Sequence, residues 1–211
     1  MQKTIYNKYD KRLIATLPRA VFQGRIIVIL TPGDTERAVR YLLAQPVLGF
    51  DTETRPSFRK GQVHRVALLQ VSTEDTCFLF RLNHTGLTPA LKRLLEDTRT
   101  TKVGLSWHDD VNSLHGIGTF QPGTFVELQK MVSELGIEDM SLQKLYANLF
   151  GEKISKREQL TNWDADILTD KQKQYAATDA WACVRIYNEI LRLRETGDYK
   201  LIIQKEEEKK V

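Results

Sequence analysis

The chain has 211 residues, 41% of them apolar and 27% charged, which fits one compact domain with a substantial core and excludes a fibrous repeat or a disordered polar chain. No apolar run approaches the roughly 18 residues that a membrane span needs, and the polar start over residues 1–10 lacks the apolar stretch of a signal peptide. A cytoplasmic, intracellular protein without a membrane partner is therefore expected, and its net charge of +4 permits a polyanionic partner without requiring one.

In chain order, a polar and basic lead-in gives way to the run Arg-Ile-Ile-Val-Ile-Leu at residues 25–30, which reads as a buried strand. Pro32-Gly33 then turns into an amphipathic helix from Asp34 to about Gln45, which Pro46 ends. Residues 47–53, 65–71 and 76–82 read as three strands with no helix between them, the pattern of an antiparallel meander. Strands and helices alternate next: a helix over 88–96, a strand over 101–105, a helix over 110–115 and a strand over 124–126. The remainder reads as helix at 127–135, 141–150 and 170–195, with Ser141 and Asp170 as caps. Strand-rich first and helix-rich later implies a mixed sheet covered by helices. The charged residues 205–211 read as a solvated end, and Cys77 and Cys183, each within an apolar run, as reduced core residues.

Asp51 and Glu53 lie two apart, so on a strand both carboxylates leave the same face while Phe50 and Thr52 point the other way. That spacing alone is weak, since a chain with 27 acidic residues yields about one such pair by chance. The chain carries its own decoy in Asp34-Thr35-Glu36, where the carboxylates favour the positive start of a helix instead. Tyr175 and Asp179 lie four apart in the long final helix, hence one turn apart on one face, within a run of small residues that permits close approach. Tyr6 and Asp10 share that spacing in a lead-in whose pattern suggests no fixed geometry. Asp109 and Asp110 stand where a short strand runs into a helix, a position that also suits dipole-favoured charges.

Phe50-Asp-Thr-Glu53, Lys102-Val-Gly-Leu-Ser-Trp-His-Asp-Asp110 and Tyr175-Ala-Ala-Thr-Asp-Ala180, in that order, resemble the three exonuclease motifs of the DEDD superfamily. The tyrosine points to its tyrosine branch, DEDDy, and the sequence is most similar to ribonuclease D and Werner-type exonuclease domains. Met140 to Leu145, Ser155-Lys156, and Leu160 to Trp163 before Leu168 to Gln172 agree with it, and the resemblance spans about residues 25–194. It implies an RNase H-like α/β fold, a mixed five- or six-stranded sheet with an antiparallel meander followed by parallel strands, flanked by helices. Three segments are expected: an extension over 1–24, an exonuclease domain over 25–196 and a charged tail over 197–211.

Matched residue by residue, the resemblance makes Asp51, Glu53, Asp110 and Asp179 the metal-binding carboxylates and Tyr175 the group that orients the attacking water. Asp110 is preferred over Asp109 by counting from Lys102-Val-Gly104. The implied reaction removes nucleoside 5′-monophosphates from a DNA or RNA 3′ end with two divalent ions, which hard carboxylate ligands without a Cys or His cluster suggest are Mg2+ or Mn2+. Thr52, Arg55, Lys60, Lys156 and Arg157 are candidate substrate contacts, with ordinary solvated surface as the competing reading for the cations. Trp107 and Trp163 could stack on bases, although such bulk more often fills a core. His108 and His115 lack the further nitrogen or sulfur ligands of a zinc site. The competing readings of the whole chain are a nucleic-acid-binding protein of the same fold without turnover, and an aspartate phosphatase, for which Glu53 is the wrong residue.

Overall fold

The computed structural model describes residues 2–204. The elements in order are β1 (Lys3–Tyr6), α1 (Lys11–Ile14), β2 (Arg25–Ile29), α2 (Pro32–Leu42), β3 (Val47–Thr54), β4 (Val66–Ser72), β5 (Thr76–Arg81), α3 (Leu82–Thr85), α4 (Pro89–Glu96), β6 (Thr101–Gly104), α5 (Trp107–His115), β7 (Phe125–Glu127), α6 (Leu128–Ser133), α7 (Leu142–Phe150), α8 (Asp170–Thr196) and β8 (Tyr199–Ile202). Six strands form one mixed sheet in the order β2-β5-β4-β3-β6-β7. The meander expected from the sequence is β3-β4-β5, antiparallel throughout, while β2 joins β5, and β6 and β7 join β3, in parallel.

The two faces of β3 divide the core. Phe50, with Leu69 and Val71 of β4, packs against Ala38, Val39 and Leu42 of α2, Leu91 and Leu94 of α4, and Val111 and Leu114 of α5. On the opposite face Leu68 and Leu79 pack under Ala176, Ala177 and Ala180 of α8. Alternation along the strand thus sends Asp51 and Glu53 toward α8. Gly49 is what lets that helix lie so close, because a Cβ there would stand 1.8 Å from the carbonyl oxygen of Ala180.

Several boundaries differ from the sequence expectation. α2 begins two residues early, with Pro32 in its first turn and Thr31 as the cap, whose hydroxyl accepts from the Asp34 amide at 3.1 Å. The cap of α8 is Thr169 and not Asp170: Thr169 and Gln172 form a reciprocal capping box, leaving Asp170 in the first turn. The decoy pair behaves as helix chemistry predicts, Asp34 binding Thr31 and Arg37 while Glu36 pairs with Arg93 of α4.

The lead-in, by contrast, is tied down. β1 pairs in parallel with β8 as a separate two-stranded sheet, and Ile5 is fully buried beside α6, α7 and α8. Short strands whose alternate residues are polar carry little periodicity, and their pairing joins opposite ends of the chain, so the pattern was invisible locally. Asp10, far from lacking geometry, caps α1 through the Arg12 amide at 2.9 Å. Phe22 is laced to α8, its amide donating to the Thr178 hydroxyl at 3.2 Å and its carbonyl accepting from Gln174 at 2.7 Å. Of the charged tail expected over 197–211, residues 199–202 are thus strand β8, while the solvated end expected at 205–211 lies outside the described residues.

Replacing Gly49 with alanine forces a methyl group into the Ala180 carbonyl, a backbone clash that no rotamer relieves. Denaturant unfolding of Gly49→Ala should show a loss of about 3 kcal/mol, at the upper end of overpacking costs. An unchanged midpoint would show that α8 does not sit this close to β3.

Candidate active site

The acidic residues converge at the β3 end where it meets α8. Asp51 lies opposite Gln70 of β4 and Glu53 opposite Leu68, and the register slips immediately after Glu53. Asp179, buried in the middle of α8, meets them: one carboxylate oxygen from each of Asp51, Glu53 and Asp179 lies within 4.8 Å of the other two. This is the one such His, Cys or acid group among the described residues, and no histidine belongs to it. A cavity of about 280 Å³ opens over the acids, lined also by Thr52, Ser141, Gln143, Ser155, Lys156, Gln159, Tyr175 and Cys183.

Asp110 approaches from the other side of the strand. Thr52, pointing away from Asp51 as strand alternation requires, donates its hydroxyl to Asp110 at 2.6 Å and so ties α5 to β3. Asp110 is half-buried and feels the Asp51 charge, whereas Asp109 is exposed and borders a different hollow beside His108 and Lys130. Tyr175 and Asp179 lie one helical turn apart, close enough for the carboxylate charge to raise the phenol's pKa, with Tyr175 buried against Trp163.

Packing these acids together has an electrostatic consequence. Burial first, and then neighbouring carboxylates, hold Glu53 and Asp179 well above the usual range. Burial pushes Asp51 up to about 7, and burial with the Asp51 charge pushes Asp110 up to about 8, although the Thr52 hydroxyl partly offsets the latter. The Tyr175 phenol is likewise raised, by burial and then by Asp179 and Glu53. Asp179 Oδ1 has no hydrogen-bond partner among the described residues, a costly state for a buried carboxylate oxygen. Clustered hard oxygens, mutual repulsion and an unmatched acceptor are together what a divalent cation would relieve, so the residues present fit one.

The other candidates fall in different places. Lys156 is exposed at the cavity rim, where its charge lowers the pKa of Asp179. Arg55 lines a neighbouring groove with Phe58, Arg59, His64 and Leu160, while Lys60 and Arg157 are exposed and border neither hollow. Trp163 is fully buried, and half-buried Trp107 stacks on His108 and Phe125, so both serve packing. Cys77 and Cys183 are buried free thiols, as expected. Gln70 was missed: fully buried opposite Asp51, its amide has no partner among the described residues, and nothing in its sequence context distinguished it from a strand residue of the core. A larger hollow of about 680 Å³ lies between β2 and α2, but Asp34 and Asp75 there are engaged by Arg37 and Thr73.

The profile of the 3′-5′ exonuclease family matches residues 26–194, which takes in every acid of the cluster. The chain belongs to that family, part of the DEDD superfamily. It is 31% identical over 90% of its length to the mouse bifunctional 3′-5′ exonuclease/ATP-dependent helicase WRN, of which it covers 14%. It is 29% identical to a 3′-5′ exonuclease of Arabidopsis thaliana, over 81% of this chain and 65% of that one. The chain thus spans less than two thirds of either relative. Its fold resembles the Nibbler EXO domain of Aedes aegypti, with a TM-score of 0.75 at 20% identity, covering 83% of this chain and 93% of that one. The RNase H-like fold of such exonuclease domains is the architecture found here.

Because the folded-state pKa values exceed the unfolded carboxylate range near 4, the stability they carry is whole below that range and is lost as pH rises through about 7 and 8. Melting curves in chelator should therefore fall between pH 5 and pH 8, and fall less in Asp51→Asn. A divalent ion at a hundredfold excess over its dissociation constant should raise the pH 8 midpoint by roughly 5–10 °C, and do so weakly in that variant. A metal-free midpoint that climbs toward pH 8 would contradict the raised values.

Proposed function

We propose that this chain is a tyrosine-branch DEDD exonuclease that hydrolyses phosphodiester bonds from the 3′ end of DNA or RNA and releases nucleoside 5′-monophosphates. The observation that carries the reading is the meeting of Asp51, Glu53 and Asp179 within 4.8 Å in an open cavity, with Tyr175 one turn from Asp179. Asp51, Glu53 and Asp179 would hold one Mg2+ or Mn2+, and Asp51 with Asp110 a second. Ions held there lower the pKa of an attacking water and offset charge on the departing 3′ oxygen.

The remaining residues orient and exclude. Tyr175 keeps its proton at neutral pH, since burial and adjacent carboxylates raise its pKa, so it serves as a hydrogen-bond donor that positions water or phosphate and not as a base. Thr52 holds Asp110 in place. Lys156 at the rim and Arg55 in the adjoining groove offer charges for the phosphates of the strand, and exposed Arg157 could join them. The exonuclease unit spans residues 25–196, and β1 and β8, which flank it in sequence, pair with each other beside it. A nucleic-acid substrate implies work inside the cell.

Purified protein should shorten 5′-labelled oligonucleotides stepwise from the 3′ end with Mg2+ or Mn2+ and not with chelator. Asp51→Asn should abolish the ladder, and Tyr175→Phe should slow it by roughly 100-fold while leaving measurable activity. Substrates that bind but stay intact under every metal condition would instead make the chain a nucleic-acid-binding member of the family.

A further inference from the structure

Ser106 is the sole non-glycine residue among the described residues with a left-handed backbone, at φ 59°. A residue with a Cβ stays in that conformation only where its surroundings hold it. Ser106 also stands at the cap of α5, yet its side chain makes no capping hydrogen bond, so the first amides of that helix need another acceptor.

Glu127 supplies it from the end of β7, where it pairs in register with Gly104. Its Oε1 accepts from the Ser106 amide at 3.0 Å and its Oε2 from the Trp107 amide at 3.2 Å, two charge-assisted bonds across the turn. Oε1 also accepts from the Gln129 amide at 3.1 Å, and the Gln129 side chain donates to the Ser106 hydroxyl at 3.2 Å and the Met140 carbonyl at 2.9 Å. The turn is therefore clamped on its backbone by Glu127 and on its side chain by Gln129. Asp110 follows one turn later on α5, with Thr52 fixing one of its oxygens. Glu127 adds negative charge beside Asp110 and Asp109, which electrostatics alone disfavours; what it contributes is the conformation of the turn.

We propose that Glu127 is a positioning residue for Asp110: by clamping the Ser106 turn it fixes where α5 begins, and so where Asp110 stands relative to Asp51. The assignment rests on the two-ion reading of the site, and Glu127 itself touches no reacting atom.

Mn2+ binding without substrate, followed by the paramagnetic resonance of the free ion, tests it alongside melting curves. Glu127→Gln keeps the shape but presents a donor to an amide that needs an acceptor. It should leave the ion held by Asp51, Glu53 and Asp179 within about twofold of wild type and weaken the second about tenfold, the size of effect seen when residues behind metal ligands are changed. Asp110→Asn should reproduce the pattern. Adding Ser106→Gly, which enters the left-handed turn unaided, should recover most of the loss and keeps the test open if the single variant folds poorly. A wild type that binds two ions and a Glu127 variant that matches it overturn this assignment alone. Equal weakening of both ions with a lowered melting point also overturns it, since Glu127 would then support only the fold. A wild type that binds no Mn2+ overturns the two-ion reading and this assignment with it.

Discussion

Carboxylates repel one another, and burial makes the repulsion stronger, so the site exists only because packing elsewhere forces α8 against β3. The contact is made by absence of bulk. Gly49 on the strand and Ala176, Ala177 and Ala180 on the helix let the two backbones approach until Asp179 faces Asp51 and Glu53. The fold holds these acids in an unfavourable arrangement that a divalent cation would make favourable. Function and stability are thereby opposed in the metal-free chain, a common relation at sites where preorganisation matters.

The rest of the architecture delivers the remaining groups to that contact. Alternation along β3 sends two acids to one face and Thr52 to the other, where it meets Asp110 from α5. Lys102 secures the start of this approach: its buried ammonium donates to the carbonyls of Leu94, Asp97 and Thr100, tying the end of α4 to β6. Gln172 does the same for the loop before α8, capping the helix while its amide reaches Thr161 and Asn162. Arg81, also buried, binds the carbonyls of Ala165 and Asp166 from the end of β5. Of the three, Gln172 stands on the helix that carries Asp179, while Lys102 and Arg81 fasten β6 and β5 beside it.

Much of this was legible in the sequence because it rests on local periodicity. The period of two placed Asp51 with Glu53, the spacing of four placed Tyr175 with Asp179, and the helix context separated Asp34 and Glu36 from the pair that joins the cluster. What the sequence concealed depends on partners distant along the chain. β1 and β8 meet across nearly the whole length, Glu127 reaches back about twenty residues to the Ser106 turn, and Gln70 reads as one more core strand position. The Thr169 cap lay within reach, since Thr-Asp-Lys-Gln has the capping-box spacing, but the acidic residue beside it offered an equally plausible start.

The most direct test of the account is anomalous diffraction from crystals of the protein soaked in Mn2+. A peak is expected among Asp51, Glu53 and Asp179, with a second between Asp51 and Asp110. Crystals that show full Mn2+ occupancy elsewhere and none at these carboxylates would contradict the account.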